Sequence, residues 1–506
     1  MKNSFKHRFS LMIATLLLVL ATGCQSLQET PNFADPDTFF KSRSDISNAL
    51  NGAYRPMSQQ WFNTYYNRSV FDCALGITTG YEKGPQYYKQ GAYVASDEYI
   101  VAYWNDNYAG INRANAIIEN LPNVPVSAIT EEFRKQSNGE ARFLRALYLY
   151  QLYIYFENIP VPTESTKNLT VRMGNEGGKK KALVTMVEDL KIAEADLASS
   201  YGATDGGRPT KWAAKALLAK VYLEDAQWQL AADKAFEVID KSGLSLFSNF
   251  NDNFDPAKKN TGERLFEIQN NFFVSPDNIN NMHAHYTPTD WDGGDPNTLI
   301  PGDGKTAAGW GDAWIVGDVK MRAMFDANDK RISTTFMEQY RSKNVKDVVR
   351  FSPTANSPFV SSGSSERTFK NVILQKMIEY NTGNWNQTKK NYIILRLADT
   401  YLAHSEAVAN GATGNGTFGI NAVRTRAALP PVTAAGSNLK NIVFDEYVRE
   451  FIGEGWVFPT ARRFGKTAEL IRTYTGRTVD NAKFRVLPIP LVEINANAAV
   501  KQNTGW

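Results

Sequence analysis

The chain has 506 residues, with 56 basic against 52 acidic side chains, four histidines and two cysteines. That length suffices for a large buried core. The near balance of charge argues against a nucleic-acid partner, and two cysteines exclude a disulfide framework. Aromatic residues make up 12%, including 23 Tyr and 10 Trp, so either the core or the surface must use many rings.

Met1–Cys24 reads as a targeting segment. Lys2, Lys6 and Arg8 form a basic start, and Phe9–Leu20 is an apolar run too short to cross a bilayer. Ala21-Thr22-Gly23 places small residues directly before Cys24, as in a bacterial lipoprotein signal. The leucine usual three residues before the cysteine is Ala21 here, with Leu20 one position further back; an ordinary secretory cut beside an incidental cysteine is the alternative. Acyl chains on Cys24, at about 0.8 kcal/mol per buried CH₂, would hold the chain to a membrane without a transmembrane helix. Removing the leader takes away Lys2, Lys6 and Arg8, leaving 53 basic and 52 acidic residues, and Cys73 as the only cysteine besides Cys24.

After a polar tether, Ser44–Tyr54 has helical spacing in Ile46, Leu50 and Tyr54. Tyr54–Tyr108 carries 14 Trp, Tyr or Phe among 55 residues, interleaved with Gly76, Gly80, Gly84, Pro85 and Gly91. That mixture predicts loops displaying aromatic faces. Trp104 to Ile118 keep four-three spacing up to Pro122, and Gly139–Tyr155 predicts a long helix that ends in the prolyl stretch Asn158–Pro162. Leu183–Leu197 is a further helix.

In Arg208–Phe247, Thr210 suits a helix cap and Asp225–Gln227 a turn. Ala231, Ala235 and Val238 form the stripe of a second helix that Gly243 stops. Two amphipathic helices with small-residue contacts fit a tetratricopeptide unit; an ordinary helical hairpin fits the stretch equally well. Arg264–Phe273, Val345–Phe351 and Val372–Ile378 suggest strands. Ser275–Gly317 is a long irregular region holding Trp291, Trp310 and Trp314, and loops of that length tend to carry function. Ile393, Leu397, Tyr401, His404 and Val408 predict a helix closed by Gly411, and Asn438–Gly453 a last strong one.

Six segments in order resemble the SusD/RagB family of surface lipoproteins, which work beside TonB-dependent outer-membrane transporters. Beside the leader, they are ALNGAYRPM (Ala49–Met57), GEARFLRALYLYQLYIYFENIPVP (Gly139–Pro162), AAKALLAKVYLEDAQW (Ala213–Trp228), ILRLADTYLAHSEA (Ile394–Ala407), INAVRTRAALP (Ile420–Pro430) and LPIPLVEINANAAVKQNTGW (Leu487–Trp506). Around Glu446–Gly465 the chain keeps Glu450, Glu454-Gly455 and Arg463-Phe464-Gly465, but Val457 and Thr460 stand where Arg and Asp are usual. Losing both members of a buried pair is near neutral where losing one is costly, so that region reads as scaffold.

The resemblance implies a mainly α fold, with tetratricopeptide-type helix pairs and a loop-rich lobe with short strands. It divides the chain into a signal peptide (1–23), a lipidated tether (24–36), an N-terminal helical region (37–250) and a C-terminal region with long ligand-binding loops (251–506). It also implies an outer-membrane, lipid-anchored, outward-facing, non-enzymatic protein. Such a protein would bind an oligosaccharide, or in some branches a peptide, and hand it to a SusC-like TonB-dependent transporter.

No catalytic signature competes strongly. His404 sits on a helix face and reads as packed, and His283-Ala284-His285 lacks an evident third metal ligand. No nucleophile elbow, phosphate loop or dinucleotide fingerprint stands in a convincing context. Asp292-Gly293-Gly294-Asp295 and Asp303 read as a solvated turn before a calcium site. No metal or cofactor is expected. Counting carboxylates leaves a lipoprotein glycoside hydrolase open.

Flat rings suit the C–H faces of sugars. The candidates for ligand contact are Trp61, Tyr81, Tyr87, Tyr88 and Tyr93 in the first aromatic region, and Trp291, Trp310 and Trp314 in the second. Packing explains each ring taken singly as well as ligand contact does. The family's architecture would bring the two regions to one surface.

Overall fold

The computed structural model describes residues 39–58, 64–80, 83–168, 172–270, 282–288, 290–304, 315–358, 365–383 and 388–506. Helices dominate. In the first half they are α1 (Arg43–Tyr54), α2 (Thr64–Asp72), α3 (Lys83–Gln90), α4 (Glu98–Asn120), α5 (Glu131–Phe156), α6 (Gly178–Asp196), α7 (Lys211–Glu224) and α8 (Trp228–Lys241). A one-turn helix, α9 (Met282–Tyr286), follows. The second half adds α10 (Leu397–Ala409), α11 (Gly416–Arg426), α12 (Gly436–Phe451), α13 (Val457–Arg463) and α14 (Thr467–Thr475).

Caps explain several boundaries. Ser42 and Asp45 form a reciprocal capping box on α1, and Thr130 and Thr210 accept from the third residues of α5 and α7. Gly243 follows α8 with φ +72°, as a helix stop requires. The helices stack in succession, α4 on α5, α5 on α6, α6 on α7, α7 on α8, α8 on α10, and α10 on α11. The hairpin read from Arg208–Phe247 is thus one member of a stack crossing from the first half of the chain to the second. Gly419 sets the closeness of α10 and α11: a Cβ there would strike the Tyr401 carbonyl. Gly419→Ala should therefore lower stability by about 1–3 kcal/mol, read as a drop in the urea midpoint; an unchanged midpoint would show that the two helices can separate freely.

The strands are short. β1 (Thr78–Thr79), β3 (Val316–Gly317), β8 (Val372–Leu374) and β4 (Phe336–Met337) form one sheet in that order, all antiparallel. β2 (Arg264–Ile268) pairs with β9 (Tyr392–Arg396), and β5 (Gln339–Arg341), β6 (Val348–Phe351) and β7 (Thr368–Phe369) form a third sheet. Two expectations are corrected. Ile393 lies in β9, and the helix begins only at Leu397: the run Tyr-Ile-Ile-Leu, with two β-branched residues and an aromatic, suits a strand and finds a partner in β2. The stretch Tyr54–Tyr108 is largely helical where described. Gly84 and Pro85 open α3, Gly91 follows it and Gly76 closes a short helical turn, while Gly80 follows β1; Tyr66, Phe71, Tyr88, Tyr93, Tyr99, Tyr103 and Trp104 are buried core.

A buried ion network ties the second half together. Arg396, at the end of β9, reaches Glu263, Glu450 and Glu454. Arg426 binds Glu263 at 2.9 Å and also Glu450, Lys376 binds Glu454 at 2.8 Å, and Arg331 joins Asp329, Glu446 and Glu450. Burial alone would raise the Glu450 carboxyl, but the guanidinium groups of Arg426, Arg396 and Arg331 hold it well below its ordinary range. Gly455 has φ +72°, and a Cβ there would meet the Arg68 side chain; its carbonyl accepts from Arg68 Nε and from the Tyr155 hydroxyl. Val457 and Thr460 are buried beside it, the threonine hydroxyl donating to the Trp456 carbonyl. The backbone N–H groups of Val457 and Phe458 donate to Asp72 of α2. Glu450, Glu454 and Arg463 thus act as scaffold, Arg463 pairing with Glu406 and Glu224.

Candidate functional site

The eight candidate rings divide sharply. Trp61, Tyr81, Trp310 and Trp314 lie outside the described residues. Tyr87 and Tyr88 are neighbours on α3 and lie on different faces of it. Tyr87 is 47% exposed, whereas Tyr88 is fully buried. Tyr88 stacks on Tyr93 with centroids 4.5 Å apart, and its hydroxyl donates to Asp97, which also caps α4. Burial, then the Asp97 charge, keeps that phenol protonated. Tyr93 is buried against Trp506 and Phe484 and so helps fasten the C-terminal residues to the core. Trp291 is fully buried, its indole N–H donating to the Gly294 carbonyl at 3.0 Å and its ring meeting Tyr380 edge-on. Tyr88, Tyr93 and Trp291 therefore show no ring face to solvent; only Tyr87 among the described candidates does.

The described ends of the aromatic segments do converge. Residues 59–63, with Trp61, run directly into α2. Tyr66 on α2 stacks on His285 of α9 with centroids 4.1 Å apart, and the His285 carbonyl accepts from the Ile315 N–H at 3.1 Å. Ile315 follows Trp314 and leads into β3, where Val316 pairs with Thr79. Thr79 stands two residues before Tyr81, and beyond it begins α3 with Tyr87. Lys89 of α3 pairs with Asp318 at 3.2 Å, and the Asp318 N–H donates to the Ile77 carbonyl. Three chain segments separated by up to some 250 residues are thus attached around Tyr66, His285 and the β1–β3 pair. No sequence signal singled out Tyr66 or His285 as this junction, because stacking between distant residues leaves no local pattern.

The loop leading into 305–314 is built as a double turn around Asp292. Its carboxylate accepts from the N–H groups of Gly294 (2.9 Å) and Gly302 (3.1 Å), and its carbonyl accepts from Gly304. Asp303 accepts from the Gly383 N–H, and Asp295 from Asn297 and Thr298. The Asp292 and Asp295 carboxylates close local turns, and Asp303 links the loop to the segment at Gly383. The Tyr340 hydroxyl donates to Asp290 at 2.7 Å. His283 accepts from the Glu379 N–H, and burial pushes His285 down to about 3, so its ring is neutral. Among the described residues no group of three or more His, Cys, Asp or Glu is placed to hold a metal ion, and no helix is long and apolar enough to cross a membrane.

A cavity of about 530 Å³ also opens beside Ser58, where the described part of the first segment ends. Tyr54 and Arg208 line it and share the buried Glu140, the arginine at 2.6 Å and the phenol at 2.7 Å. Its remaining lining is mixed, with Asn51, Arg55 and Gln269 beside Ile268.

The architecture is a stack of helix pairs carrying a lobe of short sheets, with the described residues that flank the aromatic segments meeting at one junction. Comparison with known proteins gives the family. Residues 279–506 match the SusD family, and residues 27–223 match the SusD-like family described as starch-binding and associating with the outer membrane. The chain belongs to the SusD/RagB family of glycan-binding proteins.

Among curated relatives, SusD-like protein P25 of Formosa agariphila is 27% identical over 51% of this chain and 51% of its own length. That match thus spans about half of the relative. A SusD-like protein of Bacteroides ovatus is 26% identical over 89% of this chain and 80% of the relative. Among solved structures, a laminarin-binding SusD-like protein superposes with TM-score 0.69 at 22% identity, covering 92% of this chain and all of the other. A structure with xylogluco-oligosaccharide gives 0.69 at 19%, covering 89% and 97%. At these identities the structural likeness is one of fold, and the mainly α SusD-like fold is the one described above.

Proposed function

We propose that the protein binds an oligosaccharide at the outer membrane, on a platform of aromatic rings, and delivers it to a SusC-like TonB-dependent transporter. The observation that carries this reading is the junction at which Tyr66, His285, Ile315 and Thr79 bring together the attachments of three aromatic segments. Trp310 is the first choice for the platform. Trp314, Trp61 and Tyr81 come next, together with Tyr87, which is exposed on α3. The solved relatives whose descriptions name laminarin and xylogluco-oligosaccharide support a glycan in this role. Titration of the mature chain by calorimetry with laminari- and xylogluco-oligosaccharides, and with a panel of peptides, is the test. Glycan binding without sugar release is expected; peptide binding with no glycan binding would overturn the reading in favour of a peptide carrier, and released reducing ends in favour of a hydrolase.

Attachment runs through Cys24, and the import step belongs to the partner, since a lipid-anchored binder has no pore of its own. Two results are expected on gentle extraction. A barrel protein should co-purify in near-equal amount, and Cys24→Ala should leave the membrane fraction in cells lacking the transporter. A wild-type protein recovered alone from cells that express the transporter, or a Cys24→Ala variant still membrane-bound without it, would count against this arrangement.

A further inference from the structure

On the stack of helices, away from the aromatic junction, lies a second cavity of about 340 Å³, lined by residues of α8, α10, α11 and the loop between α10 and α11. Pockets of that order hold small ligands. Two phenyl rings stand half out of the core at its wall: Phe236 is 46% exposed and Phe418 37%, with centroids 6.0 Å apart and planes at 57°. On the same helix as Phe236, the stripe Ala231, Ala235 and Val238 is buried, so this ring is presented outward while its neighbours pack. His404 packs against both rings, at 6.0 Å from Phe236 and 5.7 Å from Phe418, and is only 6% exposed.

The histidine is the unusual group. Its Nδ1 is buried with no hydrogen-bond partner, and no described residue bonds to Nε2, which faces Gly414. Buried polar atoms of this kind ordinarily find a partner in the protein. Burial lowers the imidazole pKa, offset in part by Asp233, so the ring is neutral at pH 7 with one N–H and one lone pair. The absence of a side chain at Gly414 leaves the Nε2 edge open.

The rim supplies further polar groups. Asp233 and the Thr413 N–H are both held by Gln229, through its amide nitrogen (2.8 Å) and oxygen (2.9 Å), which ties α8 to the loop. Asn415 spends its side-chain oxygen capping α11, leaving its amide N–H₂ as a donor. The lining thus has flat apolar faces, a carboxylate acceptor, an amide donor, a hydroxyl and an uncommitted imidazole, and it contains no lysine or arginine. An anionic ligand would meet Asp233 without a counter-charge. A purely apolar ligand would leave the imidazole nitrogens unpaired at a cost of about 1–3 kcal/mol. A sugar ring satisfies both demands, its C–H face on a phenyl ring and its hydroxyls on the polar groups.

We propose that the cup formed by Phe236, Phe418 and His404, with Asp233 and Asn415 at its rim, is a second binding site that takes a single sugar ring. It shares no residue with the aromatic junction and goes beyond the function proposed above. The mature chain has three histidines, His283, His285 and His404, so its ring signals can be followed by ¹³C-histidine NMR, with His404→Gln giving the assignment. The probes are glucose, xylose, galactose and laminaribiose, with tetramethylammonium as a cationic competitor for aromatic faces. At least one sugar should shift the His404 signal in wild type, and equally in Trp310→Ala, so that the failure of the platform and the failure of this site are distinguishable. Phe418→Ala and Phe236→Ala remove half-exposed rings and should leave the fold intact while weakening that titration about tenfold. No shift with any sugar, a shift with tetramethylammonium alone, or a titration unchanged in both phenylalanine variants would overturn the proposal.

Discussion

Replacing Arg396 by leucine should destabilise the protein by about 3–5 kcal/mol, a large share of the roughly 5–15 kcal/mol that holds a protein folded. The guanidinium is buried among Glu263, Glu450 and Glu454, and it lies over the Phe451 ring at 3.9 Å. Removing it leaves Glu263 to Arg426, Glu450 to Arg426 and Arg331, and Glu454 to Lys376, and of these cations Arg331 is shared with Asp329 and Glu446 as well. Arg396→Lys keeps the charge but loses the planar fork that reaches three glutamates at once, so it should fall between wild type and leucine.

The same network sets an acid limit. Glu450 has a folded pKa well below its ordinary 4.5, so the stability it contributes is complete above that ordinary value. It is lost as the pH falls through the lower, folded value. The urea midpoint of wild type should therefore drop on acidification below about pH 4.5, and that of Arg396→Leu should drop less, because its Glu450 is less depressed. Equal acid sensitivity in the two proteins, or an Arg396→Leu variant as stable as wild type at neutral pH, would show that the network is energetically idle.

The second large effect is on binding. Trp310→Ala should weaken oligosaccharide binding by about ten- to a hundredfold, or roughly 1–3 kcal/mol, with the thermal midpoint unchanged. Trp310 stands between Gly309 and Gly311, in a segment with little around it in sequence for an indole to pack on. Affinity as a whole should be modest, because a few stacking contacts must offset the freedom the ligand loses. Trp291→Ala supplies the contrast. That ring is fully buried with its N–H satisfied, so truncation should cost about 3–5 kcal/mol of stability. Calorimetry and thermal denaturation of both variants separate the roles. Unchanged binding in Trp310→Ala would remove that residue from the platform.

Much was legible in the chain itself, because the signals are local. Helical spacing, Thr210 as a cap, the Asp225–Gln227 turn and Gly243 as a stop each act within a few residues, and the structure has helices Lys211–Glu224 and Trp228–Lys241 where they point. Family motifs spread along the chain carried the fold in the same way. Tertiary structure alone decided which rings face solvent. Tyr87 and Tyr88 are adjacent and chemically identical, yet about 100° of helix rotation puts one in water and the other on Tyr93. Trp291, in a loop that looked exposed, is drawn inside because Gly294 offers its indole a carbonyl and Tyr380 a ring edge. Ile393 keeps helical spacing with Leu397, but β2 competes for its backbone hydrogen bonds and wins. Periodicity says that a segment has a face; only the neighbour that arrives from elsewhere in the chain decides what that face meets, as His404 shows in lying between two phenyl rings supplied by other helices.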